Sequence, residues 1–244
     1  MNDIYLYGTV GSDFWGECFD AVTVCAELDK CEGDVTVHVN SGGGDAFAGV
    51  AIGQLFTNYR KRTGSRVTCR VEGLAASAAS YMVLTADEVV MAPGSMMMIH
   101  NPSTFHEGSA ADFRKVADTL DALADSISSQ YQLKTGKTAD EINDAMGAET
   151  WFTADEAVEF GLADSVDTEA LAVAAMVDPH FARLYQKMPA CVAVENEAHG
   201  HTPSKKEATD ALPAAGEAPD ESQPGEGPEL RCVLGHVFYE KKEH

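Results

Sequence analysis

Gly73-Leu-Ala-Ala-Ser-Ala-Ala-Ser80 is the most informative stretch of this chain. It follows an extended run at residues 65–72, and the stretch from Ala75 to Leu84 favours a helix. Ser77 is therefore predicted at a strand-to-helix junction, among side chains too small to cover it. The first N–H groups of a helix can donate hydrogen bonds to an oxyanion. A serine also needs a base to remove its proton before it can act as a nucleophile. The alternative interpretation is a small-residue helix packed closely on a neighbour.

Strands and helices alternate along most of the chain, which predicts an α/β layered fold. Period-two alternation and short apolar runs predict strands at residues 3–10, 34–40, 67–71, 87–91 and 96–99. Apolar residues at helical spacing predict helices at residues 14–28 and 109–133. Further helices are predicted at residues 46–59, after a glycine run, and at residues 75–84. Capping patterns begin the 109–133 helix at Ser109 and two shorter helices at Thr138 and Thr153.

The composition excludes several classes of function. The 244 residues are 45% hydrophobic, enough for one large domain or a domain with an appendage. A net charge of -22 argues against nucleic-acid binding. No apolar run is long enough to span a membrane, and the N-terminus does not resemble a secretory signal. The six cysteines form no CxxC pair and resemble reduced thiols, so we expect no metal and no disulfide framework.

The composition changes near Pro189. We predict a folded domain at residues 1–188, helical on both sides of Asp178-Pro179 after residue 168. Residues 189–229 are an acidic linker rich in Pro, Gly and Ala, which we expect to be disordered because it has little apolar surface to bury. Residues 230–244 are an apolar and basic peptide that suits a docking element or an isolated strand.

His100 is the best candidate base among the eight histidines. It ends the predicted strand 96–99 and precedes Asn101-Pro102, so its side chain emerges at the edge of the sheet. The alternative is a strand-end histidine bonded to backbone. His38 alternates within a strand and is expected to be structural.

Asn40-Ser-Gly-Gly-Gly-Asp45 joins a buried strand to a helix. Its glycines allow close approach to a substrate and can direct N–H groups toward an oxyanion. The alternatives are a plain turn or a phosphate loop, and the second fits poorly because no Gly-Lys-Ser/Thr follows.

Four motifs in order resemble the Clp protease proteolytic subunit (ClpP) over residues 3–167: Val39-Asn-Ser-Gly-Gly-Gly44, Gly73-Leu-Ala-Ala-Ser77, Met98-Ile-His-Asn-Pro102 and Ala154-Asp-Glu-Ala-Val-Glu-Phe-Gly-Leu-Ala-Asp164. The resemblance implies a serine peptidase with a ClpP/crotonase-like fold of repeated ββα units, which assembles into rings. It implies Ser77 as nucleophile and His100 as general base. Gly44 and Ala78 would donate to the oxyanion, with Gly43 in the same substrate-binding turn. Residues 109–133 match the long handle helix through which rings pair.

The motifs leave the third member of the triad open. Counting back from the last motif places Glu149 where the family has its aspartate. A glutamate can orient an imidazole as an aspartate does. The alternatives are a solvated Glu149, with Asp144 or Asp155 taking the role. Gly42 also replaces the family's proline in the glycine turn, which predicts a more flexible loop.

The two ends of the chain depart most from the family. The chain starts at the first strand and carries an acidic C-terminal extension, which makes it similar to the ClpP-related head maturation proteases of tailed phages. That resemblance implies a cofactor-free enzyme in the bacterial host cytoplasm, inside immature capsids, which cuts capsid protein, scaffold and itself. Self-cleavage is predicted near residues 190–230. The alternatives are a ClpP-like core that works with an AAA+ unfoldase, a non-proteolytic assembly protein, and a crotonase-type acyl-CoA enzyme.

Overall fold

The computed structural model describes residues 2–11, 17–167, 176–177, 182–183, 185–189, 191–194, 231–233 and 236–238. The chain divides into two compact units, Met1–Glu195 and Asn196–His244. In the described residues, no helix combines the length and the apolar character needed to cross a bilayer.

The first unit contains the following strands: β1 (Asn2–Tyr7), β2 (Thr9–Val10), β3 (Cys18–Phe19), β4 (Val35–Ser41), β5 (Val67–Ala76), β6 (Glu88–Met91), β7 (Met96–Ile99), β8 (Thr150–Thr153), β9 (Ser165–Val166), β10 (Met176–Val177) and β11 (Ala193–Val194). Its helices are α1 (Ala21–Leu28), α2 (Ala46–Thr63), α3 (Ala78–Val83), α4 (Ala110–Thr135), α5 (Ala139–Gly147) and α6 (Ala154–Phe160). In the second unit, β12 (Arg231–Val233) and β13 (His236–Phe238) form an antiparallel pair.

The main sheet is mostly parallel, which confirms the predicted α/β class. Its strands lie in the order β1-β4-β5-β6-β9. Strand β7 branches from the end of β5 and pairs parallel with it, and β8 pairs antiparallel with β7. Alternate residues of β4 and β5 are fully buried against helix α2 side chains such as Ile52 and Phe56. The end of β5 therefore lies between β4 and the β7–β8 branch.

All three predicted capping patterns are present as capping boxes. Ser109 and Asp112 begin α4, and Thr138 and Glu141 begin α5. Thr153 and Glu156 begin α6. Each box satisfies backbone N–H groups that would otherwise lack partners at a helix start.

Several predicted boundaries are wrong. The helix expected at 14–28 begins only at Ala21, because Asp20 caps it and the two residues before Asp20 pair with β2 as strand β3. The helix expected from Ala75 begins at Ala78, because pairing with β7 keeps the chain extended through Ala76. Residues 150–153 and 165–166 are strands that we did not predict.

The C-terminal predictions are only partly covered by the described residues. Met176–Val177 is a strand paired with Ala193–Val194, so the predicted helix does not extend through it. Most of the predicted linker at 189–229 lies outside the described residues. Within 230–244, Arg231–Val233 and His236–Phe238 form two paired strands rather than one isolated strand.

Candidate active site

Ser77 occupies the predicted corner between β5 and α3. Its backbone has a φ of 53° and a ψ of −122°, a conformation that a residue with a Cβ rarely adopts. Such a conformation costs on the order of 1–3 kcal/mol and persists only where the surroundings hold it. The Ser77 N–H donates to Met98 O at 2.9 Å, and Ser80 Oγ donates to Ser77 O at 2.7 Å. The sharp corner turns the Ser77 side chain out of the sheet.

His100 lies directly beside Ser77. The β5–β7 register pairs Ala76 with Met98, so the residues just beyond both strand ends are neighbours. The distance between His100 Nε2 and Ser77 Oγ is 2.8 Å, which is within hydrogen-bonding reach. Burial lowers the pKa of His100, and the negative charge of Glu149 partly opposes that effect. The imidazole is therefore neutral near pH 7, the form that can accept a proton.

Glu149 is placed opposite His100 by strand β8. The β7–β8 register pairs Ile99 with Thr150, so the next antiparallel position brings Glu149 to the level of His100. Its carboxylate accepts hydrogen bonds from Trp151 Nε1 at 3.2 Å and from the backbone N–H groups of Gln186 and Lys187 at 2.7 Å each. Among the described residues, Glu149 forms no hydrogen bond with His100. Glu149 thus acts on the imidazole through charge in this conformation.

The two other carboxylates considered from sequence lie elsewhere. Asp144 is exposed on α5, and Asp155 is exposed in the first turn of α6. Glu149 is the carboxylate whose charge shifts the pKa of His100. The geometry favours Glu149 over both alternatives.

The glycine turn lies against the Ser77 corner. Ser41 pairs with Ala75, so the glycines that follow β4 run beside the residues that follow β5. The Gly43 N–H donates to Ser41 Oγ at 3.1 Å, so it is already engaged. Within the described residues, no hydrogen bond uses the N–H of Gly44 or Ala78. These two groups therefore fit the donor role better than Gly43 does.

A side chain at Gly43 would press directly against the Ser77 corner. Gly43 has a φ of +95°, and an added Cβ would lie 2.7 Å from Ala76 O and 2.8 Å from Ser77 Cβ. We expect Gly43→Ala to lower kcat/KM about 10²-fold, because displacing a reacting group by about 1 Å has such an effect. Peptide hydrolysis measured with a fluorogenic substrate tests this expectation.

Gly64→Ala is the matched control for Gly43→Ala. Gly64 also has a positive φ, +73°, but nothing lies within 4 Å of the added Cβ. The control should lose stability through backbone strain and keep kcat/KM. Equal kinetic losses in both variants would contradict a specific contact between Gly43 and the Ser77 corner.

Tyr185 is the site residue that sequence reasoning missed. Its ring lies 5.4 Å from the His100 ring between centroids, and its hydroxyl donates to Gly42 O. No motif, glycine turn or strand end marks this position in the sequence, so no local signal identified it. The contact between Tyr185 and Gly42 is seen only in the folded chain.

His38 makes contacts of the structural kind expected from the sequence. His38 Nδ1 lies 2.8 Å from Glu72, and its Nε2 lies 3.1 Å from Asp3, on the strands β1, β4 and β5. These contacts fit the structural role expected for His38. In the part of the chain that the structure describes, no group of three or more His, Cys, Asp or Glu side chains is arranged to hold a metal ion.

Comparison with known proteins relates this site to one family. The Clp protease family profile matches residues 2–170. The ATP-dependent Clp protease proteolytic subunit 2 of Tropheryma whipplei is 29% identical over 164 residues, covering 63% of this chain and 89% of that protein. Proteolytic subunit 3 of Streptomyces coelicolor is 32% identical over 150 residues, covering 59% of this chain and 67% of that protein.

The fold comparison agrees with this relationship. A mutant of ClpP1 from Listeria monocytogenes superposes with a TM-score of 0.58 at 21% sequence identity. The match covers 69% of this chain and 92% of that structure. At this identity the similarity establishes the ClpP fold alone.

Proposed function

Because this chain belongs to the Clp protease family and is a serine-type endopeptidase, we propose that Ser77 is its nucleophile, His100 its general base and Glu149 its third triad member. The observation that carries the assignment is the 2.8 Å contact between Ser77 Oγ and His100 Nε2 at a strained corner. A neutral imidazole beside a serine hydroxyl is the arrangement that activates a serine.

The proposed reaction follows from these positions. His100 Nε2 takes the hydroxyl proton as Ser77 Oγ bonds to the carbonyl carbon of the peptide. The oxyanion that forms accepts hydrogen bonds from the N–H groups of Gly44 and Ala78. His100 then gives its proton to the leaving amine, and the peptide C–N bond breaks. Water, deprotonated by His100, hydrolyses the ester on Ser77 and returns the serine hydroxyl.

Glu149 has an electrostatic part in this scheme. When His100 becomes a cation, the negative charge of the nearby Glu149 carboxylate stabilises it. The effect of Glu149 on the pKa of His100 supports this role, because it has the sign expected for stabilising the cation.

We propose capsid and scaffold proteins of a tailed phage as the substrates. Proteins of this family form ring-shaped oligomers that act on protein substrates. Support for the phage assignment is the acidic, Pro/Gly/Ala-rich stretch at 189–229, which lies beyond the 2–170 match to the family. An enzyme enclosed with its substrates meets them at high effective concentration, so delivery by an unfoldase is not required.

The substrate proposal is tested by mixing the purified chain with purified capsid and scaffold proteins of a tailed phage. We expect defined fragments without ATP, no fragments with Ser77→Ala, and self-cleavage near residues 190–230 in the intact mass. The relatives named above are ATP-dependent by name, which favours an AAA+ partner as the second candidate. Cleavage that requires ATP and an unfoldase would replace the phage proposal with that candidate.

A further inference from the structure

Residues 185–189, here called the covering segment, lie beside the active site, with Tyr185 next to His100 and residues 186–187 bonded to Glu149. The Tyr185 hydroxyl donates to Gly42 O at the start of the glycine turn. Burial raises the pKa of Tyr185. Its ring lies edge-on to the His100 ring, 5.4 Å away between centroids, so the phenol lies beside the Ser77–His100 pair. The Tyr185 side chain therefore occupies space beside Ser77 that a bound peptide would need.

An apolar wall beside the site holds Tyr185 in place. Tyr185 is 9% exposed and belongs to a buried cluster, separate from the main core, that includes Leu74, Ala76 and Met98. The Trp151 ring packs edge-on against it, 5.7 Å away between centroids. Leu74, Ala76 and Met98 come from the ends of β5 and β7, the strands that position Ser77 and His100. The covering segment thus packs on the framework of the active site itself.

The same segment engages the carboxylate of Glu149. Gln186 N–H donates to Glu149 Oε2, and Lys187 N–H donates to Glu149 Oε1, each at 2.7 Å. The Lys187 ammonium also donates to Ala148 O. Both carboxylate oxygens are therefore committed to the backbone of the segment, while His100 and Glu149 interact only through charge.

We propose that the covering segment is an intramolecular inhibitor of the active site. The inference rests on the proposed function, because it assumes that Ser77 is the nucleophile. In the covered state Tyr185 excludes substrate, and the N–H groups of Gln186 and Lys187 occupy the Glu149 oxygens that could otherwise accept a hydrogen bond from His100. Displacement of the segment opens the cleft and frees the Glu149 oxygens for the imidazole, so access and triad completion are coupled.

The test compares full-length variants by their rate of reaction with a fluorophosphonate at neutral pH. Tyr185→Ala removes the side chain that fills the cleft. We expect its labelling rate to exceed the wild-type rate by about tenfold or more, since a covered site reacts only in proportion to its open fraction. Tyr185→Phe keeps the ring and loses the hydrogen bond to Gly42, so its rate should fall between the two.

Gln186→Ala is the matched control. Its side chain is exposed, and the substitution retains the backbone N–H that donates to Glu149. Its labelling rate should equal that of the wild type. An acceleration as large as that of Tyr185→Ala would overturn the inference, because any change in the segment would then have the same effect.

A second measurement tests whether the covering segment shields Trp151 from solvent, and it does not depend on catalytic activity. The chain has two tryptophans, so Trp15→Phe leaves Trp151 as the only one. Acrylamide should quench Trp151 emission weakly in this background and more strongly when Tyr185→Ala is added. Equal quenching would show that the segment does not cover Trp151 in solution, and the inference would be wrong even if Tyr185→Ala were poorly folded in the labelling assay.

The outcomes separate the two proposals. If Ser77 is labelled equally fast in the wild type, Tyr185→Ala and Tyr185→Phe, the inference fails and the nucleophile assignment stands. If labelling persists at another residue in Ser77→Ala and never maps to Ser77, the proposed function fails and the inference falls with it. Faster labelling of Ser77 in Tyr185→Ala, with unchanged Gln186→Ala, supports both.

Discussion

Ser77→Ala is expected to lower kcat/KM for peptide hydrolysis by about 10⁶-fold, because removing the nucleophile of a serine peptidase has effects of that size. The loss should be this large because Ser77 Oγ is the hydroxyl within 2.8 Å of His100 Nε2. A fluorogenic peptide and the purified, assembled protein measure the effect.

Ser95→Ala is the control for Ser77→Ala. Ser95 is a buried serine whose Oγ donates to Ala92 O at 2.7 Å, at the opposite end of β7 from His100. The change should cost about 1 kcal/mol of stability for the lost hydrogen bond and leave kcat/KM intact. A wild-type level of activity in Ser77→Ala would mean that another residue attacks the peptide.

Glu149→Gln is expected to lower kcat/KM by about 10³- to 10⁴-fold, since losing the carboxylate of a triad has effects of this order. The substitution is best made in the Tyr185→Ala background. Glu149 otherwise also holds the covering segment through Gln186 and Lys187, and one change would alter two processes. Steady-state kinetics on both backgrounds separate the contributions.

The pH profile distinguishes an electrostatic role for Glu149 from a merely structural one. Burial places the pKa of His100 below its ordinary value of 6.5, so activity should fall with acid only below that pH. The Glu149 charge raises this pKa. Removing the charge should therefore move the acidic limb of kcat/KM to lower pH.

Asp144→Asn and Asp155→Asn are the controls for Glu149→Gln. Both carboxylates are exposed on helices, and Glu149 is the one whose charge acts on His100. Both variants should keep the wild-type rate and the wild-type acidic limb. If Asp144→Asn or Asp155→Asn lowered kcat/KM while Glu149→Gln did not, the third triad member would be reassigned to that aspartate.

Local signals in the sequence predicted the positions of Ser77 and His100 well. Small residues after a strand mark the corner at Ser77, and the end of the run 96–99 marks His100. The register of β5 and β7 then brings the two together, which spacing alone does not specify. Capping boxes likewise identified α4, α5 and α6, because they depend on residues three positions apart.

Contacts between residues far apart in the sequence could not be predicted from local sequence patterns. Strand β8 depends on pairing with β7, more than fifty residues earlier, so Trp151 and Phe152 alone did not indicate a strand. The extension of β5 through Ala76 has the same origin. The hydrogen bond from Tyr185 to Gly42 joins residues 143 positions apart, and nothing in the local pattern at residue 185 points to the active site.

The most direct test of the Ser77–His100 assignment is covalent labelling with diisopropyl fluorophosphate, followed by peptide mapping by mass spectrometry. The account predicts one adduct, on Ser77, that forms much more slowly in His100→Ala, since the hydroxyl then lacks the base 2.8 Å away. An adduct on a different serine, or one on Ser77 that forms as fast without His100, would contradict it.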